Sequence, residues 1–321
     1  MKSTELRRIL VPIDFSLVSE KDAALREEFR RALWRQAASR ARGHAADNFS
    51  AAADGAAVRL FGKRNRDQSA QTHAEVGLGI IDRAGGESAC MVRSGAPAEE
   101  ITRAARETNA DLIAIGTRGY TGLKHAFLGS TTARVVRNAP CPVLVVRDRE
   151  NFSASQRARC GRTSLQFQKI LVPLDFSECS RLGLDYALGF AREFRSSLVL
   201  FHSVVVQSYP LSDEYTALEG PNILGLQQED AEKEMKALRD DLAESNLKIT
   251  SKITVGPLID QLNDYVGANA VDLIITSTHG RSGLRRVFIG STAEQIVRHA
   301  PCPVLVVPNR AAGKDSPKGR R

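Results

Sequence analysis

The sequence predicts an α/β protein built from two tandem open five-stranded parallel sheets with helices on both faces. Three observations carry that prediction. First, the chain repeats itself. VPIDFS at 11–16 returns as VPLDFS at 172–177, NAPCPVLVV at 138–146 returns as HAPCPVLVV at 299–307, and GTRG at 116–119 returns as STHG at 277–280, each at an offset of 161 residues. A constant offset marks a tandem duplication of one unit, and 321 residues are enough for two ordinary domains. Second, the apolar runs are short and do not alternate, as expected of strands buried on both faces of a parallel sheet. Third, these runs are separated by segments of helical periodicity, the pattern of βαβ units with right-handed crossovers.

The second copy shows the elements in order. KILVPLD (169–175) reads as the first buried strand, and residues 178–195 place Leu182, Leu184, Leu188, Phe190 and Phe194 at helical spacing. SLVLFHSV (197–204) is a second buried strand, followed by a loop marked by Pro210, Gly220 and Pro221. QQEDAEKEMKALRDDLAES (227–245) reads as a charged helix, and LKITSKITV (247–255) alternates like a more exposed strand. PLIDQLNDYVGAN (257–269) is a helix, VDLIITS (271–277) a strand, STAEQIVRHA (291–300) a helix and PVLVV (303–307) the closing strand. The domain reading is a first unit over 1–150, a linker over 151–166, a second unit over 167–309 and a basic tail over 310–321. Ligands of such sheets bind beyond the carboxyl ends of the strands. In the second copy Asp175 and the STHG turn fall there.

The first copy is degenerate in its middle. Residues 34–75 hold five large apolar residues (Trp34, Phe49, Val58, Leu60, Phe61), whereas 195–236 holds thirteen. Where strand two should recur the sequence reads RQAASRARGHAADNFSAAADG, with no apolar run to make it. The flanks are intact and the net length is unchanged, so two origins fit the stretch from about 23 to about 90: a compensated frameshift or a diverged insertion. The first half is expected to lack a normal central strand and the wall that strand gives the site. Much of 35–90 is expected to be poorly ordered, with His44 and His73 as solvated surface residues.

Composition removes several function classes. The formal charge is +8, but residues 26–66 alone hold ten Lys/Arg against four Asp/Glu, and the tail AAGKDSPKGRR adds more. The charge is local and not interleaved with stacking aromatics, so specific nucleic-acid binding is not expected. No apolar run approaches the roughly 20 residues of a membrane span, and MKSTELRRILVPID lacks the apolar core of a signal peptide. Five cysteines without CxxC spacing do not make a disulfide framework, which fits a reducing cytoplasm. Cys141 and Cys302, each between prolines, read as small core residues.

The glycine loop carries the chemistry. Gly116 and Gly119 let the backbone leave the strand and let a ligand approach without a Cβ in the way. After nine intervening residues Gly129 opens a helix whose first amides have no internal partner. Those amides, with the Ser130 and Thr131 hydroxyls, suit a phosphate. The second copy offers Gly280, Gly290, Ser291 and Thr292, and opens on Ser277 in place of glycine. The spacing is not that of a P-loop, and no lysine follows the last glycine. Plainer roles are also open: Ser291 as a helix cap with Glu294 completing a capping box, and Asp14 and Asp175 as strand-end carboxylates with Ser16 or Ser177 as cap.

At these residues the chain resembles the universal stress protein family. VPIDFS and VPLDFS resemble its first-strand signature, GTRG-(nine)-GS its G-x2-G-x9-G-[ST] ATP-binding pattern, and APCPVLVV its last strand. The resemblance implies a sheet of the adenine nucleotide alpha hydrolase-like (HUP) type that binds ATP with a divalent ion, magnesium or manganese. It also implies pairing through the last strands (143–146, 304–307), as a pseudo-dimer within one chain or as a homodimer. Backbone near Pro12 and Pro173 would flank the nucleoside, and Asp14 and Asp175 would face its adenine side. Gly116 would lie by the ribose, while Gly119, Gly129, Ser130 and Thr131 would hold phosphates. In the second copy the phosphates would fall to Gly280, Gly290, Ser291 and Thr292, and the Ser203 backbone would contact adenine. Ser277 would narrow the approach to the ribose.

The expected function is therefore an adenine-nucleotide-binding stress-response regulator, with the second half as its nucleotide site. The alternative is an interaction module of the same fold that binds no nucleotide, which Ser277 and the missing strand favour. The sequence has no Ser-His-Asp order, nucleophile elbow or pyrophosphatase loop, so turnover beyond slow incidental ATP hydrolysis is not expected.

Overall fold

The computed structural model describes residues 6–13, 75–82, 88–116, 128–146, 167–205, 223–278 and 290–309. Ten strands lie in one sheet. They are β1 (Arg8–Ile13), β2 (Glu75–Asp82), β3 (Ser88–Ser94), β4 (Leu112–Gly116), β5 (Val143–Val146), β6 (Lys169–Pro173), β7 (Ser197–Val204), β8 (Ile249–Val255), β9 (Leu273–Ser277) and β10 (Val304–Val307). Their order across the sheet is β3-β2-β1-β4-β5-β10-β9-β6-β7-β8. The helices are α1 (Pro97–Glu107), α2 (Ser130–Asn138), α3 (Glu178–Phe194), α4 (Ile223–Asp241), α5 (Leu258–Asn269) and α6 (Ser291–His299).

In the second half all neighbouring strands run parallel, and the central ones are buried as their unbroken apolar runs require. One face is covered by α3 and α4 through Leu184, Leu188, Phe190, Met235 and Leu238. The other is covered by α5 and α6 through Leu262, Val266, Ile296 and Val297. The repeat recurs at the level of single contacts. Asp111 accepts the Arg7 and Arg8 amides at 2.9 and 2.8 Å, and Asp272 accepts those of Gln168 and Lys169 at 2.9 Å each.

The halves meet through their last strands. β5 and β10 pair antiparallel, with Leu144 opposite Leu305. All eight residues of the two VLVV segments are buried, and both apolar cores run across the seam. This is the arrangement within one chain that the last-strand resemblance implies.

The first half departs from a purely parallel sheet. β2 occupies the slot that β7 fills in the second half, but it runs antiparallel to both β1 and β3. Only residues 83–87 separate β2 from β3. So short a link allows a hairpin, whereas a parallel pair needs a crossover of about a dozen residues or more. The slot is filled rather than vacant, with Val76 and Leu78 buried in the core. Of the stretch from about 23 to about 90, residues 75–82 and 88–90 are described, as β2 and the start of β3; the rest, including His44 and His73, lies outside the described residues. The reversal matters for the site. Pairing of Ile13 with Gly77 puts the start of β2, not a carboxyl end, beside the carboxyl end of β1.

Candidate functional site

The site is built where β6, β7, β9 and β10 end. β6 leaves the sheet at the buried Pro173, and the Leu174 amide still donates to the Phe201 carbonyl at 2.8 Å. Asp175 then closes the turn into α3. Its Oδ1 accepts from the Ser177 amide at 3.1 Å and from the Ser177 hydroxyl at 2.6 Å. Ser177 is the N-cap of α3, accepting the Ser180 amide at 3.2 Å. The plainer role foreseen for this carboxylate is thus present.

Between them Phe176 takes a left-handed φ of 61°. Its ring lies 4.6 Å from that of His202, centroid to centroid, at 36°. His202 Nδ1 donates to the Leu174 carbonyl at 2.7 Å. The next residue on β7, Ser203, is buried, and its hydroxyl donates to the Gly256 carbonyl at 2.8 Å.

β9 ends at Ser277, which is buried. A Cβ added to Gly183 of α3 would lie 3.3 Å from the Ser277 amide nitrogen and 3.7 Å from its Cβ. The end of β9 at Ser277 therefore packs closely against Gly183 of α3. The serine needs no left-handed backbone, since it is absent from the positive-φ residues of the described chain.

A short contact chain joins the two features. The Gly290 amide donates to the Thr278 carbonyl at 2.7 Å. Thr278 Oγ1 accepts the Asn309 amide at 2.9 Å, and Asn309 Nδ2 donates to Cys179 Sγ at 2.8 Å. Burial, and then the charges of Asp175 and Glu178, push the Cys179 thiol up. The start of α6 and the Asp175 turn are thereby tied to one edge.

The N-cap of α6 is Gly290, without a side-chain cap bond. Ser291 therefore does not cap, and Glu294 does not reach back; its carboxylate pairs with Arg298 at 2.8 Å. The first rung of the helix is Glu294 to the Gly290 carbonyl at 3.1 Å. The amides of Ser291, Thr292 and Ala293 precede that ladder, and Ser291 and Thr292 are exposed. This end of the helix can take an anion.

The first half repeats part of this. Gly129 is the N-cap of α2, Ala133 bonds the Gly129 carbonyl at 2.9 Å, and the buried Thr132 hydroxyl donates to the Gly116 carbonyl at 2.8 Å. Ser130 is exposed, Thr131 half-buried and Pro12 buried in β1. Asp14, Gly119 and Gly280 lie outside the described residues. Sequence reasoning passed over Thr278, Asn309, Cys179, Phe176 and His202. Thr278 stood in the STHG motif and could have been found; Asn309, just past the last strand, carried no signal.

A family model described as the universal stress protein family matches residues 5–147 and again 166–308. A universal stress protein of Methanocaldococcus jannaschii is 27% identical over 144 residues, covering 44% of this chain and 82% of that protein. A second from the same organism is 26% identical over 158 residues, covering 45% and 96%. Among solved structures, a universal stress protein from Archaeoglobus fulgidus is 21% identical, covers 67% of this chain and 68% of that one, and has a TM-score of 0.47.

Proposed function

We propose a function from one premise: this chain belongs to the universal stress protein family. Its second half binds an adenine nucleotide, ATP with magnesium or manganese, and acts as a stress-response regulator of the cytoplasm rather than as an enzyme. The supporting observation is the contact chain from Gly290 through Thr278 and Asn309 to Cys179 beside Asp175. It gathers an anion-accepting helix start and a carboxylate at one edge. Negative phosphates suit the amides and hydroxyls of Ser291 and Thr292, and the Asp175 carboxylate, on the other side, is an acceptor for the adenine amino group. No group of three His, Cys, Asp or Glu that could hold a metal occurs among the described residues. A divalent ion would ride on the phosphates and water, as magnesium commonly does.

The first half takes no part in this reading, because reversed β2 removes the parallel strand end that β7 supplies. Calorimetric titration of the full chain with Mg-ATP should give one site per chain. At a hundred times Kd, ATP should add about 2.7 kcal/mol of stability. Ser291→Glu puts a carboxylate at the exposed helix start, where it favours the helix itself but repels phosphate; binding should fall at least tenfold. Ser130→Glu, its counterpart, should leave binding unchanged. If neither ATP nor ADP binds or shifts the melt, the alternative reading stands: an interaction module of this fold whose internal β5–β10 pairing needs no nucleotide.

A further inference from the structure

Five described residues other than glycine have positive φ: Asn109, Phe176, Arg195, Asn246 and Ala270. Arg195, Asn246 and Ala270 are helix C-caps, where a left-handed residue is ordinary, and Asn109 follows α1 by two residues. Phe176 has no such explanation. It precedes an N-cap, and a bulky aromatic is a poor occupant of the left-handed region. Such outliers persist only where the surroundings enforce them.

His202 provides that enforcement from both sides of Asp175. Its Nδ1 donates to the carbonyl of Leu174, the residue before Asp175, at 2.7 Å. Its ring packs on that of Phe176, the residue after Asp175. The neighbouring Ser203 is fixed in turn by its bond to Gly256. One side chain thus couples the strand-end turn of β6 to the end of β7. At the same offset the first copy has Ala41, which offers neither a donor nor a ring.

We propose that His202 is a positioning residue: it holds the 174–177 turn in its left-handed shape, so that Asp175 and the end of β7 present one fixed edge to an adenine base. The proposal rests on the nucleotide reading above and deepens it. His202 acts through the turn, and the Leu174 carbonyl, which can only accept, selects the ring form that carries a proton on Nδ1.

The test uses the full chain with His202→Leu, which keeps bulk but loses the donor, and His202→Asn, whose side-chain amide can donate from about the Nδ1 position. Two readouts are taken: hydrogen exchange of the Ser177 amide, which donates to Asp175, and calorimetric titration with Mg-ATP. His202→Leu should speed that exchange and raise Kd by about tenfold each, the scale of one hydrogen bond. His202→Asn should recover most of both. Unchanged exchange and affinity in a folded His202→Leu protein overturns the proposal. So does an Asn variant as impaired as the Leu variant, which would mark a packing role only. Should His202→Leu not fold, His202→Phe, which keeps a ring beside Phe176 but has no donor for the Leu174 carbonyl, carries the same expectations. Wild-type protein that binds no nucleotide, while His202→Leu still loosens Ser177, overturns the nucleotide reading and leaves the hold on the turn standing.

Discussion

Ser177 accepts the Ser180 amide with its hydroxyl oxygen and donates the hydroxyl proton to Asp175. Removing the hydroxyl cuts both links, so Ser177→Ala should lower unfolding free energy by about 1–2 kcal/mol, read as a lower urea midpoint at unchanged slope. The loss should exceed that of a cap lacking the carboxylate, because Asp175 Oδ1 also loses the hydroxyl donor at 2.6 Å. Asp175, Gly290 and Ser177 were legible in the sequence because their roles are local: a strand end, a helix start and a cap three residues before its donor. His202 and Asn309 were not, because their partners are fixed by tertiary packing, Leu174 lying 28 residues from His202 and Cys179 lying 130 from Asn309. The neighbour of Ser277 was hidden for a related reason: spacing does not say which helix packs on a strand end, and here it is α3 at Gly183.

At the level of elements, the second copy followed its periodicity closely. The charged helix read at 227–245 is α4 at 223–241 with a 3-10 turn at 243–245, a shift typical of helix ends. The first copy hid β2, because strand two was sought at its repeat position. EVGLGIID comes later, where the second copy has helix. Its buried Val76 and Leu78 alternate with Gly77 and Gly79, a period-2 pattern, and the brief link to β3 dictates its direction. If β2 belongs to the core, Leu78→Ala should cost about 2–5 kcal/mol, whereas Val92→Ala on β3, at 57% exposure, should stay within about 0.5 kcal/mol. Urea unfolding of the two variants in parallel measures the difference; equal small effects would mean β2 is not packed in solution.

Across the whole molecule, the seam has a symmetry that the duplication explains. Leu144 and Leu305 are equivalent positions of the repeat, and they pair with each other, flanked by Val143 with Val306 and Val145 with Val304. A two-fold relation between the halves therefore passes through that pair, and β10 has the same complementarity toward a second β10 that it has toward β5. Tyr186 of α3 lies near Cys141 and Asp111 of the first half, and burial first, then those two groups, pushes its phenol up. With the last-strand edges joined internally, the full chain should be monomeric by light scattering. Residues 167–309 alone, a complete five-stranded unit, would bare β10 and its apolar flanks, an edge that proteins seldom leave open. That fragment should form a dimer, with Leu305 opposite Leu305 of its copy, and adding nucleotide should not change its mass. A monomeric fragment would show that the seam depends on first-half groups such as those around Tyr186 rather than on the strands themselves.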